Sequence, residues 1–302
     1  MKLNHIVQLN SLPVFYHRKR KSDPACLFFQ LLRSAVSCAV FFVLTALGPG
    51  VTVADCIDPI ALWKLEESGA AAEYQNELNP GHYIGVCRTV EDMAVCPEPE
   101  PARYGIGQRF YAGGELSGID IPCSAIINWS ITDSFSISFW MKRDSTPPLE
   151  ENEVIVGRYS MEDGNKLHWR IGIQKTGVAH AVFITKAGAP YHWNRHLRAD
   201  KILTDNRWHS IVFVRNGVTS ENRLYIDGQL EDKVTIVYGD YDGFDSGSTS
   251  MNIGWISSDP KHQYKGVVDE VALYDTALSS WFVHDRYYTD ARYVSNRTNP
   301  CD

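Results

Sequence analysis

From residue 61 onward, apolar positions recur at every second residue, in short runs broken by glycine, proline and aspartate. In FSISFWMKRD (135–144), Phe135, Ile137, Phe139 and Met141 fall on one side, and Ser136, Ser138 and Trp140 on the other. A period of two is the mark of a half-buried strand. Similar runs are ALWKLEE (61–67), YIGVCRTV (83–90), ARYGIGQRFYAG (102–113), GIDIPC (118–123), EVIVGRYS (153–160), KLHWRIGIQK (166–175), HAVFITKAG (180–188) and RWHSIVFVRNG (207–217). NRLYIDGQLEDKVTIV (222–237) predicts a hairpin with Asp227-Gly228 at a tight turn that needs positive φ. SMNIGWI (250–256) and KGVVDEVALYD (265–275) close the series, and TALSSWFVHDRYYT (276–289) predicts a helix with Thr276 as its N-cap. Strands separated by turns, without alternating helices, predict an all-β, two-sheet antiparallel β-sandwich. One domain is expected over 55–290, with 291–302 as a C-terminal tail.

The last strand carries two adjacent acids inside an apolar run. Strict alternation places Val267, Asp269, Val271 and Leu273 on one face and Val268, Glu270, Ala272 and Tyr274 on the other. Asp269 and Glu270 are therefore expected to point apart and not to work as a catalytic pair. A buried carboxylate needs a partner, a hydrogen bond or a metal.

The chain's net charge is −7; residues 1–54 hold six basic residues and one acid, which leaves −12 on the rest. A surface this acidic repels phosphate backbones and argues against nucleic acid as a partner. At the N-terminus, HRKRK (17–21) precedes AVSCAVFFVLTAL (35–47), and Thr52 and Ala54 have the small-residue spacing of a cleavage site. Residues 1–54 thus read as a signal peptide, or as an N-terminal membrane anchor through 35–54, and the remainder as secreted or held at the cell surface. In that compartment Cys56, Cys87, Cys96, Cys123 and Cys301 are disulfide candidates. Cys87 and Cys96, with eight residues between them, are the favoured pair, with Cys56 assigned to Cys123 or Cys301.

Several polar stretches could carry chemistry. HWNRH spaces His192 and His196 four apart, but no third zinc ligand accompanies them. Tyr191, His192 and Trp193 could instead form a sugar-stacking surface, because aromatic rings bury the apolar faces of sugars. YGDYDGFDSG (238–247) brings Asp240, Asp242 and Asp245 together on a glycine-containing loop, an oxygen-rich set suited to calcium. Asn128 and Asn296 begin glycosylation sequons. The chain shows no nucleotide loop and no Ser-His-Asp motif.

In order, FSISFWMKRD, RWHSIVFVRNG, NRLYIDGQLED, MNIGWI and YKGVVDEVALYDTALS resemble the strand signatures of laminin-G-like jelly-roll domains, within the concanavalin A-like lectin and glucanase superfamily. IALWKLEESG resembles the first strand of that family. The resemblance implies a jelly roll over nearly all of 56–290 and a structural calcium on Asp269, with backbone carbonyls from around Leu65–Ser68. It implies structural roles for Trp208-His209 and for the Asp227-Gly228 turn. Asn76–Glu100, with two cysteines and three prolines, departs from the family's short turn. The Glu-x-Asp-x-x-Glu strand that glucanases of this fold use is missing. The expected function is an exported, non-catalytic module that binds a glycan or a surface protein; the alternatives are a glycoside hydrolase and a purely structural or targeting domain.

Overall fold

The computed structural model describes residues 57–68, 73–160, 166–183, 195–235, 249–256 and 260–293. The N-terminal segment to Cys56, Tyr191, His192, Trp193, Asp240, Asp242, Asp245 and Cys301 lie outside the described residues. The described strands are β1 (Ala61–Trp63), β2 (Glu73–Tyr74), β3 (Gly85–Val90), β4 (Met93–Val95), β5 (Glu98–Pro101), β6 (Ile106–Arg109), β7 (Ile119–Ile121), β8 (Phe135–Arg143), β9 (Glu153–Ser160), β10 (Lys166–Ile173), β11 (Val178–Phe183), β12 (Arg195–Ile202), β13 (Trp208–Asn216), β14 (Glu221–Ile226), β15 (Gln229–Thr235), β16 (Met251–Ile253) and β17 (Gly266–Tyr274). One helix, α1, covers Ser280–Tyr293.

Every ladder between these strands is antiparallel, and they form the two sheets of a jelly-roll sandwich. The first sheet runs β15-β14-β13-β8-β17-β6-β5, with β1 also on β17; the second runs β12-β11-β10-β9-β16-β7-β3-β2, with β4 on β3. Phe135, Ile137, Phe139 and Met141 of β8 enter the core between the sheets, as their alternation predicts. They meet Ile211 and Phe213 from the same sheet and Trp169, Ile171 and Ala181 from the other. Burying such side chains is worth about 1.5–3 kcal/mol each, the main term holding the sheets together. Arg143 and Glu153, both buried, join β8 to β9 through two hydrogen bonds of 2.8 and 2.9 Å.

The sheet edges are blunted by side chains. Pro99 and Pro101 lie on edge strand β5, where a missing N–H costs the ladder little. On edge strand β12, the N–H groups of Arg198 and Asp200 donate to Asp232 and Glu231 of β15, at 2.9 and 3.3 Å. Cys87 and Cys96 are disulfide-bonded across the β3–β4 hairpin, in the stretch that departs from the family's short turn.

Two sequence expectations are corrected. The helix begins at Ser280, and its N-cap is Ser279, whose Oγ accepts from Phe282 N at 3.1 Å. Thr276 is held to the sheet instead, its carbonyl accepting from Ser136 Oγ at 2.7 Å while Leu278 N donates back to Ser136 Oγ at 3.1 Å. The alternation on β17 also fails. Its ladder with β8 pairs Asp269 with Trp140 and then resumes at Ala272 with Ser138. This bulge inserts one residue, so Val268, Val271 and Leu273 all enter the inner core.

Candidate functional site

The bulge sits where β17 changes neighbours. Val267 and Val268 pair with β6, whereas Val271, Ala272 and Leu273 pair with β1 along the same edge. Asp269 and Glu270 lie in the gap, and Glu270 takes a φ of 53°, in the left-handed region. Non-glycine residues there cost about 1 kcal/mol or more and cluster at functional sites. Asp269, paired with Trp140, and Glu270, beside Ser138, Trp140 and Ala272, both face outward from the first sheet. The expectation that the two acids point apart is thereby overturned.

Asp269 is fully buried. Its Oδ2 accepts from Tyr104 N at 2.9 Å, which pins the tip of the β5–β6 hairpin to β17. Among the described residues its Oδ1 makes no well-formed hydrogen bond, although the Glu270 N–H acts on the same carboxyl and lowers its pKa. Burial pushes this carboxyl up to about 8, against the Tyr104 N–H, and the charge of Glu270 pushes the same way as burial. One open, buried oxygen fits a cation. Of the first-strand carbonyls, those of Leu65 and Glu67 both accept from the Gln108 side-chain amide, each at 2.9 Å. Glu66 is the acid left on that side, with Oε1 filling the space that a side chain on Gly105 would take. Among the described residues no three His, Cys, Asp or Glu side chains form a metal-holding group.

Glu270 faces an open groove, with a cavity volume of about 60 Å³, between α1 and the outer face of β8, β13 and β17. Leu278, just before the helix, and Val283 within it seal one end against Val212, Ala272 and Tyr274. At the other end Tyr104, Trp140 and Tyr287 gather, with Tyr104 edge-on to Trp140 at 6.1 Å and Tyr287 stacked on it at 5.7 Å. Ser138 and Ser210 line the floor, and among the described residues neither hydroxyl makes a hydrogen bond. Arg286 lines the helix wall, and among the described lining residues Glu270 is the one carboxylate.

The acid-pair question is answered by this arrangement. Asp269 shares the face with Glu270 but is sealed behind the hairpin tip and does not line the groove. Glycoside hydrolysis needs two carboxyl groups flanking the scissile bond.

A family model described as the Concanavalin A-like lectin/glucanases superfamily matches residues 114–283. The chain belongs to that superfamily. Botulinum neurotoxin type X from Clostridium botulinum is 27% identical over 128 residues, 40% of this chain but 9% of the toxin. Among solved structures, the binding domain of Paraclostridial Mosquitocidal Protein 1 superposes with a TM-score of 0.55 at 17% identity, covering 76% of this chain and 51% of that one. Domain 4 of AbnA, a GH43 extracellular arabinanase from Geobacillus stearothermophilus, solved with arabinotriose, gives 0.54 at 16% identity, covering 76% and 98%. The chain therefore spans about half of the toxin binding domain and nearly all of the arabinanase domain.

His209 is held at both ring nitrogens. It is buried at the start of β13, its Nδ1 2.8 Å from Asp227 Oδ2 and its Nε2 3.0 Å from Asp205 Oδ1. Lys201 also pairs with Asp227, and Asp227 Oδ1 accepts from Ser210 N at 2.9 Å. The adjoining Gly228, at a φ of 77°, packs so tightly on Tyr287 that a side chain there would meet its Cβ at 2.9 Å. This cluster fixes Ser210 and Tyr287 at the groove.

Sequence reasoning flagged Asp269 and left Glu270 without an assigned role. It missed Tyr104, Ser138, Trp140, Ser210, Arg286 and Tyr287. One signal was readable: the outward face of β8 is Ser136, Ser138 and Trp140, small hydroxyls beside a tryptophan, where a covered face would carry aliphatic residues.

Proposed function

We propose that this domain is an exported, non-catalytic module that binds a carbohydrate in the groove between α1 and the first sheet. The groove floor carries the proposal: two unengaged hydroxyls, Ser138 and Ser210, lie among Tyr104, Trp140 and Tyr287, beside the carboxylate of Glu270. Apolar walls with a few convergent polar groups are the usual form of a small-ligand site. Sugar hydroxyls suit the serines and the carboxylate, and sugar C–H faces suit the aromatic rings. The fold shared with the arabinotriose-bound domain of AbnA supports the choice of ligand class. Export rests on the N-terminal sequence; among the described residues no helix is long and apolar enough to cross a membrane.

The test is a glycan array followed by calorimetric titration of the best binder. Ser138→Val and Glu270→Gln are expected to weaken binding at least tenfold while leaving the unfolding midpoint near that of wild type. Unchanged affinity in both variants would reject the groove, and release of sugar products would favour the hydrolase. Capture of a surface protein with no glycan binding would favour the other binding reading.

A calcium ion on Asp269 belongs to the same proposal, supported by the open buried Oδ1 with Glu66 nearby. An ion that binds only the native state raises its stability by mass action. Millimolar calcium is expected to raise the unfolding midpoint of wild type at pH 7.5 and to leave Asp269→Asn unmoved. A wild-type midpoint indifferent to both calcium and chelator would remove calcium from the proposal.

A further inference from the structure

The hairpin tip that Asp269 anchors carries a second side chain against two of the groove's rings. Arg103, next to Tyr104, places its guanidinium 4.8 Å from the centroid of Trp140 and 5.7 Å from that of Tyr104. Both rings line the groove. Other cations on this side of the sandwich are engaged: Arg109 and Lys142 with Glu100, Lys201 with Asp227. Arg103 has no ion pair among the described residues, and its Nε is buried without a hydrogen bond. Leaving a half-buried guanidinium donor unmet is costly, because its lost hydration is not replaced. Stacking on aromatic rings holds the planar fork in place and leaves its edge for a planar anion.

We propose that the groove selects an acidic saccharide, one bearing a carboxylate, and that Arg103 is the residue that receives it. The inference rests on the groove being the glycan site and adds the charge class of the ligand. The two working ends are complementary. Ser138 and Ser210 take hydroxyls on the floor, and the Arg103 fork takes the carboxylate at the rim, as a bidentate pair when both oxygens are presented. The other charges facing the groove are Glu270 and Arg286, one of each sign, so Arg103 sets the local excess. The surface charge of the domain is acidic overall, so a local cation is the feature that would overcome general repulsion of an acidic sugar.

The experiment is a titration of the full chain, at low and at moderate salt, with matched pairs of oligosaccharides that differ in one terminal residue: glucose against glucuronic acid, and lactose against sialyllactose. The acidic member of at least one pair is expected to bind about tenfold or more tightly, with the advantage shrinking as salt rises. Arg103→Gln is expected to abolish that preference while keeping the unfolding midpoint and the weaker binding of the neutral partner. Arg103→Lys is expected to recover part of it, because lysine keeps the charge but not the fork. Equal binding of neutral and acidic partners, or a preference that survives in Arg103→Gln, overturns the assignment but leaves the groove as a glycan site. Loss of binding to every glycan in Ser138→Val, with none of it altered by Arg103→Gln, does the same. Absence of binding to any member of either pair by wild type overturns both readings together.

Discussion

Two titratable residues favour the fold toward low pH, over different windows and for different reasons. Asp269 is held near 8 by burial, against an ordinary value of 3.8, so the folded state keeps a proton that the unfolded chain gives up. Its contribution is most favourable below about pH 4, declines as pH rises toward 8 and is flat beyond. Asp269→Asn keeps an acceptor for Tyr104 N and has no charge to bury. In metal-free buffer it is expected to be more stable than wild type, with the gap widening from pH 4 to 8 in urea unfolding. His209 shifts in the same direction for a different reason. Burial opposes its protonation, but hydrogen bonds to Asp227 and Asp205 outweigh that and raise its pKa above the ordinary 6.5. Its stabilisation is fully present below 6.5 and is lost as pH rises through the raised value. His209→Gln is therefore expected to lose about 2 kcal/mol at pH 6, the scale of hydrogen bonds to charged groups, with the deficit narrowing above neutrality. A deficit that stays constant with pH would mean that the ring is neutral when folded. Both residues stood out in the sequence, His209 as a structural strand-start residue and Asp269 as a buried acid. Their partners did not, because Tyr104 is 165 positions from Asp269 and Asp227 is 18 from His209.

At the scale of elements, local pattern was reliable wherever a strand kept one neighbour on each side. On β8 the alternation of Phe135 to Met141 matches the observed faces position by position. On β17 it failed because the ladder hands over from β6 to β1, and the inserted residue turns Glu270 to the side of Asp269. No local count reveals such a handover, since the competing partners come from residues 61–63 and 106–109. The helix start was displaced for a similar reason: Ser136 on β8 captures the chain at Thr276 and Leu278 and delays the first turn. The strain at Glu270 gives a sharp expectation. Glu270→Gly relieves a φ of 53° and is expected to stabilise the fold by about 1 kcal/mol, while abolishing glycan binding through loss of the carboxylate. A variant that is both less stable and still a full binder would show that the bulge serves folding alone. The Cys87–Cys96 bond closes the β3–β4 hairpin, and its removal in Cys87→Ser/Cys96→Ser is expected to cost about 2.5 kcal/mol from the entropy of so short a loop, read as a lower denaturant midpoint.

At the scale of the whole molecule, the groove draws on segments far apart in sequence: the hairpin tip at 103–104, the floor at 138 and 210, the bulge at 270 and the helix at 286–287. The sandwich brings them together, so the sequence could mark acids and aromatics but could not assemble them. Tyr104 joins this groove to the proposed ion site, because its N–H donates to the carboxyl that would hold the cation while its ring lines the groove. That link gives the ion site a signature that simple stabilisation lacks. Without metal, Asp269 is protonated up to about pH 8 and costs stability as it ionises. With calcium bound, the ionised form is the favoured one, so the folded pKa falls and the loss of stability toward pH 8 is suppressed. Stability from this residue is then expected to be nearly flat from pH 5 to 8 in millimolar calcium and to fall over the same range in chelator. Glycan affinity is expected to follow, since the ionised carboxylate accepts more strongly from Tyr104 N and holds the Arg103–Tyr104 tip over the groove. Asp269→Asn should erase both the calcium-dependent change of slope and the calcium dependence of affinity. Parallel pH slopes with and without calcium would dissociate the ion from Asp269, and a glycan affinity indifferent to calcium in wild type would dissociate the hairpin tip from the ion.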